Sequence, residues 1–300
     1  MASREPRPTA CPPRSAGAGQ RSHPLDERAG LTGGASVGRG ERLTALLLTK
    51  NEEAQLRRCL DSVRWADEIV VVDGQSTDRT PQIARDYGAT VVSRPFSGSF
   101  AEERNAGLAV ATGDWVLQMD ADEQVSPGLR AAIERLLADG SPHAAFKLRR
   151  LNTFLGRTMR HGGWYHYHTA LFRRQGARYE GLVHERLRHQ GSVGVLEADL
   201  CHEPFQSISQ FLARQNRYTS LQARELFERQ GRLPLARVRR QLWARPLKLF
   251  WKAYVKKQGF REGRHGLMFS ILFAWVDFLL WAKYWELVWA GSSGDARRHA

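Results

Sequence analysis

Hydrophobic positions follow two different patterns along the chain. Between residues 43 and 145, short apolar runs alternate with stretches of helical spacing. Leu43 to Leu48 is apolar on both faces and ends in the polar group Thr49-Lys50-Asn51-Glu52, after which Leu56, Cys59, Leu60 and Val63 recur at helical spacing. Glu68 to Val72 is a second such run. It leads to a helix through Ile83, Ala84 and Tyr87, with Thr77 read as its cap, Pro81 in its first turn and Gly88 at its end. Thr90 to Ser93 reads as a third strand, Ala101 to Val110 as a third helix and Trp115 to Met119 as a fourth strand. Runs that are apolar on both faces suit parallel strands buried under helices. Four strand-then-helix units in succession predict an α/β fold, a mostly parallel sheet with helices on both faces.

Beyond Ala144 the alternation decays. Residues 146–205 hold short strand-like pieces with many aromatics and histidines, and a long helical pattern covers Ile208 to Gln230. A basic stretch and the apolar segment Leu267 to Trp289 follow. Residues 1–42 and 291–300 lack the large apolar side chains needed to offset ordering entropy, so both are expected to be disordered tails.

Charge changes the picture of the C-terminal part. The net charge is +14, and residues 231–265 carry eleven Lys or Arg against one acid, Glu262. From Arg237 to Lys257, cations, Trp and aliphatics interleave as in a helix lying in a lipid headgroup layer, with Pro246 expected to break or kink it. Leu267 to Trp289 carries Asp277, Lys283 and Glu286, and its uninterrupted part, Leu267 to Val276, is too short to span a bilayer. A helical, membrane-associating region over 206–290 is therefore expected, peripheral or monotopic, with its cations on an anionic membrane surface. The N-terminus lacks a charged start followed by an apolar run, so the cytoplasmic side is expected. The excess of basic residues is concentrated late in the chain and not on the α/β part, and no nucleic-acid motif is present, so no nucleic acid is expected as a partner. The alternative to an enzyme is a non-catalytic basic protein that binds membrane or nucleic acid.

Candidate chemistry sits where the strands end. In an open α/β sheet, the carboxyl ends of strands face a crevice. The polar group Thr49 to Glu52, Asp73, and the pair Asp120/Asp122 would all line it. An Asp after a strand can accept hydrogen bonds from a base or ribose. Two carboxylates one residue apart can approach a hard divalent cation. The plainer reading of that pair is a cap for a helix starting near Pro127. Together these groups point to a nucleotide diphosphate whose departure is assisted by a metal. A nucleotidyltransferase would need a Gly-rich basic loop after the first strand, and Thr49-Lys50-Asn51-Glu52 has no glycine.

Leu46-Leu47-Leu48-Thr49-Lys50-Asn51-Glu52-Glu53, Val71-Val72-Asp73-Gly74-Gln75-Ser76-Thr77-Asp78-Arg79-Thr80 and Asp120-Ala121-Asp122-Glu123 resemble the family 2 glycosyltransferases. Among these, the chain is most similar to bacterial lipopolysaccharide-core and related cell-envelope enzymes, over most of residues 43–290. The resemblance implies a GT-A fold over 43–205, with a nucleotide-sugar half at about 43–145 and an acceptor half at about 146–205. It implies Mg²⁺ or Mn²⁺ as cofactor and inverting transfer from a nucleotide-diphosphate sugar donor to a lipid-linked or glycan acceptor. Carried over by residue, Asp73 contacts the base or ribose, and Thr49, Asn51 and Glu52 form the adjoining wall. Arg104-Asn105 faces the donor. Asp122 is the direct metal ligand, with Asp120 nearer the donor sugar or ribose, and His202 is a candidate late ligand. The general base comes from Tyr179-Glu180-Gly181-Leu182-Val183-His184-Glu185, with Glu185 preferred over Glu180 and Glu123. The competing reading of Glu185 is an ordinary ion pair with a nearby arginine such as Arg188.

Overall fold

The computed structural model describes residues 40–181 and 185–296, with side chains to Trp289. Residues 1–39 of the tail expected over 1–42, residues 182–184 (His184 among them) and residues 297–300 lie outside the described residues. Two compact units are present. One comprises residues 40–150 and 167–201, the other residues 151–166 and 202–296.

The chain runs through β1 (Leu43–Thr49), α1 (Glu53–Val63), β2 (Glu68–Asp73), α2 (Thr80–Asp86), β3 (Thr90–Ser93), α3 (Phe100–Val110), β4 (Trp115–Asp120), β5 (Glu123–Val125) and α4 (Pro127–Asp139). Then come β6 (Ala145–Phe154), β7 (Arg157–Met159), β8 (His166–Arg173), β9 (Arg178–Glu180), β10 (Arg186–Arg188) and β11 (Val193–Phe205). The main sheet has the order β3-β2-β1-β4-β8-β6-β11-β5, with β7 paired to β6, while β9 and β10 form a separate antiparallel pair. The first four strands are mutually parallel and β8 runs antiparallel to β4. Only Ala121 and Asp122 separate β4 from β5, yet β5 pairs at the opposite end of that order, so the sheet must curl.

Why both faces of these strands are apolar is visible in how they pack. Side chains alternate across a strand, and the two sets enter two cores. Leu43, Ala45, Leu47, Ile69, Val71, Trp115, Leu117 and Met119 pack against Leu56 and Leu60 of α1, Ile83 of α2 and Ile133 of α4. Leu46, Val70, Val72 and Val116 meet Ala101 and Leu108 of α3 on the other face. Helices thus cover both faces, as the sequence pattern predicts.

Two expected caps are corrected. The cap of α4 is Ser126, whose Oγ accepts from the Leu129 amide (3.2 Å), so Asp120 and Asp122 are not used for capping. Thr77 does not cap α2. Asp78 Oδ1 takes the amide of Thr80 (2.9 Å), because the loop turns Thr77 toward Asn51 instead.

Gly113 sets the spacing of β4 against β1. A Cβ there would lie 2.7 Å from both the amide nitrogen and Oγ1 of Thr44, and the Gly113 amide donates to that same Oγ1 (3.0 Å). Backbone cannot yield as a side-chain tip can, so Gly113→Ala is expected to destabilise the fold by about 1–3 kcal/mol, read as a lower denaturant midpoint.

In the second unit, α5 (Ile208–Gln230) matches the expected helix, and α6 (Leu235–Trp251) continues through Pro246 without the expected break. A π-helical turn, Lys252–Lys256, and a short 3₁₀ segment, Gly259–Glu262, lead into α7 (Gly263–Ala296). The apolar segment is therefore one uninterrupted helix, and residues 291–296 belong to it instead of a disordered tail. Phe154, Met159, Phe205, Phe211 and Phe269 form this unit's aromatic core. Trp164 packs within it against Phe269 at 5.0 Å.

Candidate active site

Register brings the first group of residues level. Thr49 pairs with Asp73 across β1 and β2, and Leu48 pairs with Asp120 across β1 and β4, so Thr49, Asp73 and Asp120 share one edge of the sheet. Asp73 is 1% exposed. Its Oδ2 accepts from the Ser76 amide (3.0 Å), and its Oδ1 accepts from Ser76 Oγ (2.5 Å) and Thr49 Oγ1 (3.3 Å).

The loop after β1 is stapled to the loop after β2. Asn51 adopts a left-handed backbone (φ 56°), which Asn tolerates better than most residues. Its amide donates to Ser76 Oγ (2.8 Å) and its Oδ1 accepts from the Thr77 amide (2.8 Å). The amides of Glu52 and Glu53 donate to Thr80 Oγ1 (2.8 Å) and Asp78 Oδ2 (3.2 Å). Burial alone would raise the Asp78 carboxyl, but hydrogen bonds from Thr80 and the backbone outweigh it and hold the group below its usual range. Thr49, Asn51, Glu52 and Asp73 therefore form one pre-organised wall, in which side chains fix backbone across two loops.

The second group surrounds the β4–β5 turn. Asp120 ends β4, Asp122 lies in the turn, and Glu123 begins β5. Each Asp120 oxygen faces a guanidinium: Arg104 Nη2 is 3.7 Å from Oδ1 and Arg150 Nη2 is 2.9 Å from Oδ2. Arg150 Nε is 2.7 Å from Glu123 Oε1, and Glu123 Oε2 accepts from the Asp120 amide (2.8 Å). Arg104 also pairs closely with Glu185 and lies over the Tyr179 ring at 5.2 Å. Burial pushes the Glu123 carboxyl up to about 8; Arg150 opposes the shift and Asp120 adds to it. The buried thiol of Cys59, whose Sγ lies 3.6 Å from the Asp120 carbonyl, is raised by burial and then by the field of Glu123, Asp122 and Asp120.

These shifts bear on whether a cation fits. With Glu123 raised to about 8 and so mostly protonated at neutral pH, Asp120, Asp122 and Glu185, when ionised, place three negative charges near the two guanidiniums of Arg104 and Arg150, an excess of one. The donors are all carboxylate oxygens, the ligand type of Mg²⁺ and Mn²⁺. Among the described residues, no group of three or more His, Cys, Asp or Glu is arranged to hold a metal. A cation bound here would therefore take one or two carboxylates from the protein and complete its shell with phosphate oxygens and water.

The remaining expected residues are dispersed. Asn105 donates from Nδ2 to the Tyr179 carbonyl and accepts at Oδ1 from the Tyr179 amide (both 2.9 Å), so it holds β9 in place while its neighbour Arg104 turns to the carboxylates. Glu180, not Glu185, pairs with Arg188 (2.9 Å) at the surface. His202 belongs to the second unit, where its ring meets Trp164 edge-on at 6.3 Å and its Nδ1 adjoins Asn152 Oδ1. Arg150 is the participant the sequence reading missed. Its only local signal is the basic pair Arg149-Arg150 within strand β6.

In an open α/β sheet, strand ends that present a polar wall beside an acidic turn form the usual place for a ligand. The Glycosyl transferase family 2 model matches residues 44–191. An uncharacterised glycosyltransferase of Rickettsia bellii is 30% identical over 264 residues, covering 82% of this chain and 87% of the relative. The lipopolysaccharide core biosynthesis glycosyltransferase LpsC of Rhizobium meliloti is 26% identical over 261 residues, covering 81% and 92%. A solved mannosyltransferase of Pyrobaculum calidifontis, in complex with GDP-Man and Mn²⁺, is 17% identical, covers 82% of this chain and 87% of its own, and superposes with a TM-score of 0.46. The chain belongs to glycosyltransferase family 2.

Proposed function

We propose that the protein is an inverting, metal-assisted glycosyltransferase moving a sugar from a nucleotide diphosphate to a lipid-linked or cell-envelope glycan at the cytoplasmic face of the membrane. The observation that carries the reading is the level placement of Asp73 and Asp120 beside an acidic turn with excess negative charge. The similarity to LpsC supports the acceptor class. In this reading the wall of Thr49, Asn51, Glu52 and Asp73 receives the base and ribose. Asp122 holds Mg²⁺ or Mn²⁺ with Asp120 beside it, and the cation, when bound, offsets charge on the departing diphosphate. Arg104 and Arg150 fix the Asp120 carboxylate in place. Glu185 takes the proton of the acceptor hydroxyl as its oxygen bonds to the anomeric carbon, and the bond from that carbon to the diphosphate breaks on the opposite face. Configuration therefore inverts.

Calorimetric titration with UDP, GDP, ADP, CDP and dTDP, each with and without Mn²⁺, tests this reading. One nucleotide is expected to bind well and to bind less well without the metal. Failure of every nucleotide to bind would overturn the catalytic assignment and leave the non-catalytic membrane-binding reading.

A further inference from the structure

The second unit contains a helix long and apolar enough to cross a bilayer, Gly259–Trp289, with mean hydropathy 1.6. Its two inward charges are both answered within the unit. Arg245 of α6 lies 2.9 Å from Asp277, whose side chain is only 9% exposed. Lys283 Nζ donates to Asn216 Oδ1 (2.7 Å), Ser220 Oγ (2.8 Å) and Thr219 Oγ1 (2.9 Å), all on α5. For α7 to cross a membrane alone, Asp277 and Lys283 would lose these partners in hydrocarbon, which is costly. Taking α5 along would carry its charged residues, Arg214, Arg217 and Arg224 among them, into the same medium. The contacts therefore hold α7 within the α5–α7 bundle.

The outer face of α6 is built differently. Trp243, Leu247 and Trp251 recur every four residues, on one stripe of the helix, and are 69%, 70% and 56% exposed. Trp243 leans on Phe278 of α7 at 6.0 Å. Lys248, Lys252 and Lys256 are exposed beside it, and the single acid of the 231–265 stretch, Glu262, is buried against Arg157 and the amides of Arg160 and His161. An apolar stripe with aromatic ends, flanked by cations and with no exposed acid, matches a helix lying in an interface plane. A second copy would bring the same cations to this face and be repelled by it.

We propose that the Trp243–Leu247–Trp251 face of α6 docks the protein on a bilayer carrying anionic headgroups, with α7 held beside the membrane and not through it. This rests on the membrane-face reading above and specifies its surface and lipid class. The full chain is tested by flotation with phosphatidylcholine vesicles, with or without phosphatidylglycerol, at low and high salt. Binding is expected only with the anionic lipid, and alkaline carbonate is expected to strip the protein off. Lys248→Glu with Lys252→Glu should weaken binding by at least about tenfold, since each cation near an anionic surface contributes on the scale of one such factor. Trp243→Glu with Leu247→Glu should remove it, with unchanged circular dichroism. Equal binding to neutral vesicles, full binding by both double variants, or resistance to carbonate would overturn the proposal. Nucleotide titration separates the two readings: in the wild-type chain, nucleotide bound without vesicle binding sinks only the docking surface and the reverse sinks only the transferase, while both double variants should keep wild-type nucleotide binding.

Discussion

Asp122→Ala is expected to reduce sugar transfer by about a thousandfold or more, because several kcal/mol of charge stabilisation at the leaving group disappears with the cation's direct ligand. The folded state should survive. Asp122 lies in a two-residue turn between β4 and β5, half-buried, and caps no helix, since Ser126 does that for α4. The decisive readout is calorimetric: the Mn²⁺ dependence of nucleotide binding should vanish in the variant, while metal-free binding stays near wild type. Asp120→Asn makes the informative contrast. That side chain faces both Arg104 and Arg150 (at 3.7 and 2.9 Å), so neutralising it weakens one charge-assisted contact of each of two largely buried guanidiniums, although Glu185 and Glu123 still pair with them. Weakening a largely buried ion pair costs stability. Asp120→Asn should therefore lower the denaturant midpoint as well as activity, whereas Asp122→Ala lowers activity alone. Retained transfer in Asp122→Ala would remove the metal assignment.

How much of this was legible in the sequence depends on distance along the chain. The strands β1, β2 and β4 were readable because parallel strands covered on both faces must be largely apolar at consecutive positions, and Ala45–Leu48, Ile69–Val72 and Trp115–Leu117 are. The carboxyl-end residues followed, since register alone puts Thr49, Asp73 and Asp120 at one edge. Partners brought in from afar were not readable. Arg150 reaches Asp120 across 30 residues and Arg104 reaches Glu185 across 81, and no local periodicity marks either contact. The misread details share one cause. Thr77 and Pro246 were interpreted by local preference, while the actual outcome was set by packing: Thr77 by its hydrogen bond to Asn51, and α6 by the helices against it. Likewise, Asp277 and Lys283 read as interruptions of an apolar run, whereas the folded unit supplies each with a polar partner.

Glu185→Gln is the second large effect, and it separates two roles that the geometry joins. Arg104 pairs with Glu185 through Oε1, the contact that would make Glu185 a structural counter-ion. As a base, Glu185 must take a proton, for which the second carboxylate oxygen remains. Glutamine keeps an oxygen able to accept from Arg104 but cannot take a proton at neutral pH. If Glu185 is the base, kcat should fall by about 10²–10⁴, the usual contribution of a positioned proton acceptor, with nucleotide affinity nearly unchanged. If Glu185 serves only to aim Arg104, the substitution should shift donor affinity or KM and spare kcat, because the hydrogen bond weakens while no proton transfer is lost. A parallel Glu180→Gln variant calibrates the measurement. That carboxylate is spent on the exposed Arg188, and exposed pairs contribute little, so its kinetics should match wild type. A collapse of donor binding in Glu185→Gln would move the base to another carboxylate, and Glu123, buried at the β4–β5 turn and raised to about 8, would be the next to substitute.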